Sequence, residues 1–157
     1  MTQRTHSGWR LPARAMLLFV AASLLWEAAQ MPLYTLWRSG SGGEIAFAVL
    51  HCTVGDSMIA AASFGLAILL TRGWYWPVRG FRRVLIATTL LGLAYTIFSE
   101  WLNVEWRGAW AYADAMPLLP IIGTGLSPVL QWLLLPPLSL LAARNMVKRH
   151  NPIGIPP

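Results

Sequence analysis

The sequence predicts an all-α integral membrane protein, a single domain over residues 1–157 built as a four-helix bundle. Three observations carry that expectation. The chain is 56% apolar and only 11% charged, against about 25% charged residues in soluble domains. Four stretches are long enough to cross a hydrocarbon core, which takes about 20 mostly apolar residues in a helix. The basic residues, finally, gather on one side of those stretches, as they do in short cytoplasmic loops.

Taken in order, the spans fall at about 15–36, 45–71, 84–103 and 118–143. Arg4, Arg10 and Arg14 precede the first, Arg72, Arg79, Arg82 and Arg83 lie between the second and third, and Arg144, Lys148 and Arg149 follow the fourth. Only Arg38 and Arg107 fall in the two remaining loops. The bias places both termini in the cytoplasm, N-in and C-in, in the inner (plasma) membrane. The formal charge of +6 therefore reads as orientation, and no basic domain exists outside the loops to engage nucleic acid.

The first segment also has features of a signal peptide, with an Arg-bearing start, an apolar run from Ala15 to Leu25 and small residues at Ala28 and Ala29. Glu27 stands where a small residue is wanted, and the apolar run resumes through Met31, Leu33, Tyr34 and Trp37, so a retained span is expected. A single cysteine, Cys52, excludes an intrachain disulfide and dithiol redox chemistry.

The loops differ in character. Ser39 to Gly43 reads as a short flexible turn. The loop from Arg72 to Pro77 mixes aromatics with arginine, which suits a headgroup-level anchor touching anionic lipid. Trp101, Trp106, Trp110 and Tyr112 crowd the second outer loop beside Glu105, Arg107 and Asp114, enough for a lid over that end of the bundle. The tail from Asn151 to Pro157 is Pro-rich.

Polar residues within the spans carry the functional signal, because an Asp at the centre of a membrane helix costs about 3 kcal/mol on insertion scales. In the first span Glu27, Gln30 and Tyr34 share one face by their spacing. In the second, Cys52, Asp56 and Ser63 form a stripe with His51 on the adjoining face. Thr89, Gly92, Thr96, Glu100 and Asn103 keep the helical period in the third, and Thr124, Ser127 and Gln131 in the fourth. At about 1.5 Å per residue His51 lies roughly 10 Å and Asp56 roughly 18 Å from the outer surface. The set is expected to converge on a polar cluster open to the extracytoplasmic side. Ser57, Ala61 and Gly65 add a small-residue face suited to close helix packing, within the chain or between copies.

The fourth span holds Gly123, Gly125, Pro128, Pro136 and Pro137, which predict a helix kinked or broken by Pro and Gly, most sharply near residues 123–128. Broken helices expose carbonyls that transporters use to bind ions and substrates.

The candidate ligand- or ion-binding residues are therefore Glu27, Gln30, Asp56, Glu100, Asn103 and Gln131. His51, Asp56 and Glu100 supply nitrogen and oxygen donors of the kind that bind a divalent metal, the one cofactor this donor set suggests. His6 and His150 lie on the opposite side of the membrane from His51. His51 and Asp56 point about 140° apart on one helix, so the metal reading needs the bundle to bring them together. A Glu in the first of four spans resembles the layout of small multidrug exporters. The resemblance stops there: this chain is longer, has polar stripes on every helix, and has an orientation bias too strong for dual insertion.

Three function classes remain. The cluster could bind or transport a cation, a proton-coupled solute or a small ligand, which the residues favour. It could serve an intramembrane metal-dependent or lipid-modifying enzyme, with His51 as base or ligand. Or the chain could be an accessory or assembly subunit of a larger membrane complex. The partners expected are membrane lipid and either a homo-oligomer or that larger complex.

Overall fold

The computed structural model describes residues 10–150. Arg4, His6 and the Pro-rich tail lie outside the described residues, as do the side chains of Lys148, Arg149 and His150. Four helical segments are long and apolar enough to cross a membrane: Arg10–Leu33, Gly42–Leu70, Phe81–Trp106 and Leu126–Val147, with mean hydropathies of 1.4 to 1.7. Large apolar side chains such as Leu17, Leu25, Phe47 and Met58 point outward, a surface that only hydrocarbon suits. The protein is a multi-pass helical bundle.

The first span is α1 (Arg10–Gln30), extended by a single 3-10 turn, Met31–Leu33. A short helix α2 (Leu36–Ser39) leads into α3 (Gly42–Leu70). The turn expected at Ser39 to Gly43 is shorter than its composition suggested, because Ser41 caps α3. Its hydroxyl accepts from the Glu44 backbone N–H, and the Glu44 carboxylate accepts from the Ser41 N–H at 2.8 Å, a reciprocal pairing that starts the helix within the glycines.

The third span is α4 (Phe81–Trp101) continued by a π-helical turn, Leu102–Trp106. The fourth, α5 (Leu126–His150), starts eight residues later than the composition implied. Gly123 at φ +65° turns the chain where most L residues would be strained. Leu119 N–H then bonds to Thr124 O at 2.9 Å and Leu126 N–H to Pro117 O at 2.7 Å. Pro128 falls in the first helical turn, where its missing N–H has no partner to lose. The expected break thus takes the form of a late helix start. The helix itself runs on through Pro136 and Pro137.

α1 packs against α3 and α5, and α4 packs against the same two helices, so α1 and α4 sit diagonally across the bundle. Leu11 and Ala15 of α1 meet Phe81 of α4 and Leu140 and Ala143 of α5. This joins one end of the bundle at Arg10, Arg14 and Arg144, here the basic end. Midway along, Phe19 and Trp132 pack ring to ring with centroids 5.6 Å apart. Gly92 of α4 lies directly under the Trp132 ring, where a Cβ would overlap it.

The opposite, loop end is closed by the chain between α4 and α5. Thr35 N–H donates to Ala111 O at 3.0 Å and Ala113 N–H to Leu33 O at 2.9 Å. Tyr34 and Tyr112 are thereby paired across an antiparallel bridge, ring centroids 5.6 Å apart. The aromatic loop is a lid tied to the end of the first span.

Candidate functional site

Two polar networks occupy the bundle. The larger joins α1, α3 and α5 around Gln131, which is 2% exposed. Its amide nitrogen donates to Asp56 Oδ2 at 2.7 Å, to Glu27 Oε1 at 3.0 Å and to Ser23 Oγ at 3.2 Å. The Ser23 hydroxyl donates to the same Asp56 oxygen at 2.7 Å. Gln30 Nε2 donates to Glu27 Oε1 at 2.9 Å, while Gln30 Oε1 accepts from Ser127 Oγ at 2.7 Å. Trp26 Nε1 completes the set on Ser127 Oγ at 3.2 Å.

These contacts follow from helical spacing. Ser23, Glu27 and Gln30 are four and three residues apart and share one face of α1. Ser127 and Gln131 do the same on α5. Asp56 comes from the middle of α3, half-buried, and its carboxyl meets that of Glu27. Trp132 lies beside it.

The electrostatics are one-sided. The spans contain Lys or Arg only near their basic ends, at Arg10, Arg14, Arg82, Arg83 and Arg144. Two touching carboxyls in low dielectric cannot both stay charged at a tolerable cost without a compensating group. No Lys or Arg of the described residues is among the groups that act on either carboxyl.

The second network surrounds Glu100 near the loop end. Glu100 Oε2 accepts a short hydrogen bond from the Tyr112 hydroxyl, which in turn accepts from Gly125 N–H at 3.0 Å. Tyr34 and Trp110 stand beside the same carboxyl. Burial, then the neighbouring Glu100 carboxyl, pushes both tyrosine hydroxyls well above the usual phenol range. They stay protonated and available as donors. Gly125 is tightly packed, since a Cβ would lie 3.0 Å from the Met116 sulfur and 3.1 Å from the Tyr112 ring, and these neighbours would have to give by a few tenths of an ångström.

Of the six ligand-binding candidates, Glu27, Gln30, Asp56 and Gln131 come together. Glu100 belongs to the separate loop-end network. Asn103 turns back onto its own helix, donating to Ser99 O at 2.8 Å and Ser99 Oγ at 3.2 Å. The structure does not bring His51, Asp56 and Glu100 together as the metal grouping expected. His51 is exposed on the outward face of α3, stacked on Phe47 at 5.5 Å, because its position on the helix points it away from Asp56. Among the described residues no group of three or more His, Cys, Asp or Glu side chains could hold one metal ion.

The cluster is more enclosed than the sequence suggested. Glu27, Gln30, Glu100 and Gln131 are all buried, and the lid covers the end through which solvent would enter. A cleft of about 10 Å³ lies beside Glu100, Tyr112 and Thr124. Three participants, Ser23, Trp26 and Tyr112, escaped the sequence reading. Ser23 sits one turn before Glu27 on the same stripe and was legible by period. Tyr112 was visible only as part of an aromatic-rich loop, since nothing in the sequence pairs it with Glu100.

Compared with known protein families, curated proteins and solved structures, the chain shows no significant match.

Proposed function

We propose that the network of Glu27, Asp56 and Gln131 is the proton- or cation-binding centre of a small membrane transport protein. The carrying observation is the contact between two carboxyls, bridged by the Gln131 amide, with the Ser23 hydroxyl donating to Asp56 and the Arg residues of the described spans confined to their ends. Packing alone does not require groups this costly to bury. A site that must be neutralised to be stable binds and releases its neutralising partner as its surroundings change. The lid over residues 107–125 acts as the gate, with Tyr112 as its latch. By the arginine distribution the protein lies in the inner membrane with both termini in the cytoplasm, so the lid faces outside.

The test is current or dye-reported proton flux in proteoliposomes under imposed pH and cation gradients. Asp56→Asn keeps the shape of the side chain and removes its charge, and it is expected to reduce flux at least about tenfold, corresponding to about 1.4 kcal/mol. Equal flux in the wild type and Asp56→Asn would sink the reading.

A second reading, an accessory subunit, has one observation behind it. α3 presents Ala61 and Gly65 outward, and a Cβ on Gly65 would meet nothing, a face on which another helix could pack closely. Stoichiometric co-purification of another membrane protein, with no flux from the isolated chain, would favour it.

A further inference from the structure

A groove of about 200 Å³ enters the bundle between α1 and α3 in its basic half. Pro12, Met16 and Phe19 form one wall, Ala61 and Phe64 the other, and Leu140 of α5 part of the floor. It exists because small side chains occupy positions where larger ones would close the gap between the helices. Its size exceeds the about 150 Å³ at which a dry apolar cavity accepts a benzene-sized guest. Its mouth, at the exposed Ala61, opens on the lipid-facing side of two membrane spans.

Ring contacts lead from the wall of the groove to a cationic side chain. Phe64 meets the Trp76 ring edge-on with centroids 4.9 Å apart, and Trp76 stacks on Phe81 at 6.2 Å. Arg144, one turn beyond Leu140 on α5, lies over the same Phe81 ring, its Cζ 4.4 Å from the centroid. Arg144 Nε and Trp76 Nε1 are both buried with no hydrogen-bond acceptor among the described residues. Buried donors without acceptors are uncommon, and here two of them, one on a cation, flank the end of an apolar groove.

We infer that this is a binding site for one anionic phospholipid, with an acyl chain in the groove between α1 and α3 and the phosphate at Arg144 beside Trp76. The apolar lining selects a hydrocarbon chain, and the arginine selects a negative headgroup by charge complementarity. The site is separate from the carboxyl network and does not depend on its role.

Native mass spectrometry of the full chain released from detergent, with dipalmitoyl phosphatidylglycerol or dipalmitoyl phosphatidylcholine added, tests it. The wild type is expected to retain a phosphatidylglycerol adduct under conditions that strip phosphatidylcholine. Ala61→Phe blocks the groove mouth and should lower retention about tenfold, equivalent to losing burial of a few methylenes. Arg144→Gln should lower it about fivefold, in line with one basic residue near a headgroup. Ala62→Phe and Arg79→Gln, exposed neighbours that line neither part, serve as controls and should retain the adduct. Equal retention of the two lipids, survival of the adduct in Ala61→Phe, or displacement by inorganic phosphate alone would overturn the site. Because Ala61 is exposed, its variant keeps the core intact and decides the matter even where Arg144→Gln fails to fold.

Discussion

Gln131 holds the larger network together without carrying charge. Its amide has two hydrogens for three acceptors, Ser23, Glu27 and Asp56, so the donors are shared and the carboxyls compete for them. In the proposed function, a proton or cation arriving at Glu27 or Asp56 relieves that competition, which ties the state of one carboxyl to the other. Tyr112 plays the corresponding part at the loop end, giving its hydroxyl proton to Glu100 while accepting from Gly125 N–H. Tyr112→Phe removes both bonds and should destabilise the lid by about 1–3 kcal/mol, the cost of leaving buried partners unsatisfied. Faster amide exchange across residues 107–125, with exchange in α4 unchanged, is the expected reading. The pH dependence has a definite sign. Burial first, and the bond to Glu100 second, raise the phenol above its ordinary value of 10.0. The stabilisation it contributes is therefore fully present below that value and is lost as pH rises through the raised one. Thermal melts of the wild type should fall at alkaline pH more than those of Tyr112→Phe.

At the scale of the element, the polar stripes were legible where the period of the helix was intact. Thr89, Gly92, Thr96, Glu100 and Asn103 line one face of α4 as spaced, and four of them are buried side chains while Gly92 admits Trp132. The close approach of α4 to α5 depends on that glycine. Gly92→Ala forces the buried Trp132 ring to shift and should lower stability by about 1–3 kcal/mol. A thermal melt in detergent, together with the near-ultraviolet signal of the displaced indole, reads it directly; an unchanged melt would mean the helices do not meet as described. Element ends were less legible. Ser41 and Glu44 start α3 earlier than hydropathy implied, since the cap is a polar signal inside a glycine-rich turn. α5 starts late because residues 117–126 make their hydrogen bonds within a turn instead of a helix.

For the whole molecule, the alternation of four spans brings Leu11, Phe81 and Leu140 together at the basic end and the aromatic loop together with Tyr34 at the other. In the orientation proposed from the arginine bias, the basic end faces the cytoplasm. Reporter domains fused to either terminus should accordingly be active only when their activity requires the cytoplasm, and a periplasmic phosphatase fused at the C-terminus should stay inactive. The opposite result would invert the bundle and direct the lid inward. The composition and the period of the apolar residues settle the class of molecule, the number of spans and the stripe on which each polar residue sits, because hydrocarbon imposes the same length and the same backbone satisfaction on every crossing. Which stripes meet is a different matter. His51 and Asp56 share a helix and point apart, whereas Glu27, Asp56 and Gln131 are far apart in sequence and touch. Those pairings depend on the rotation of each helix against its neighbours, set by the fit of Trp132 over Gly92 and of the lid over Tyr34, and rotation leaves no trace in the spacing along a single helix.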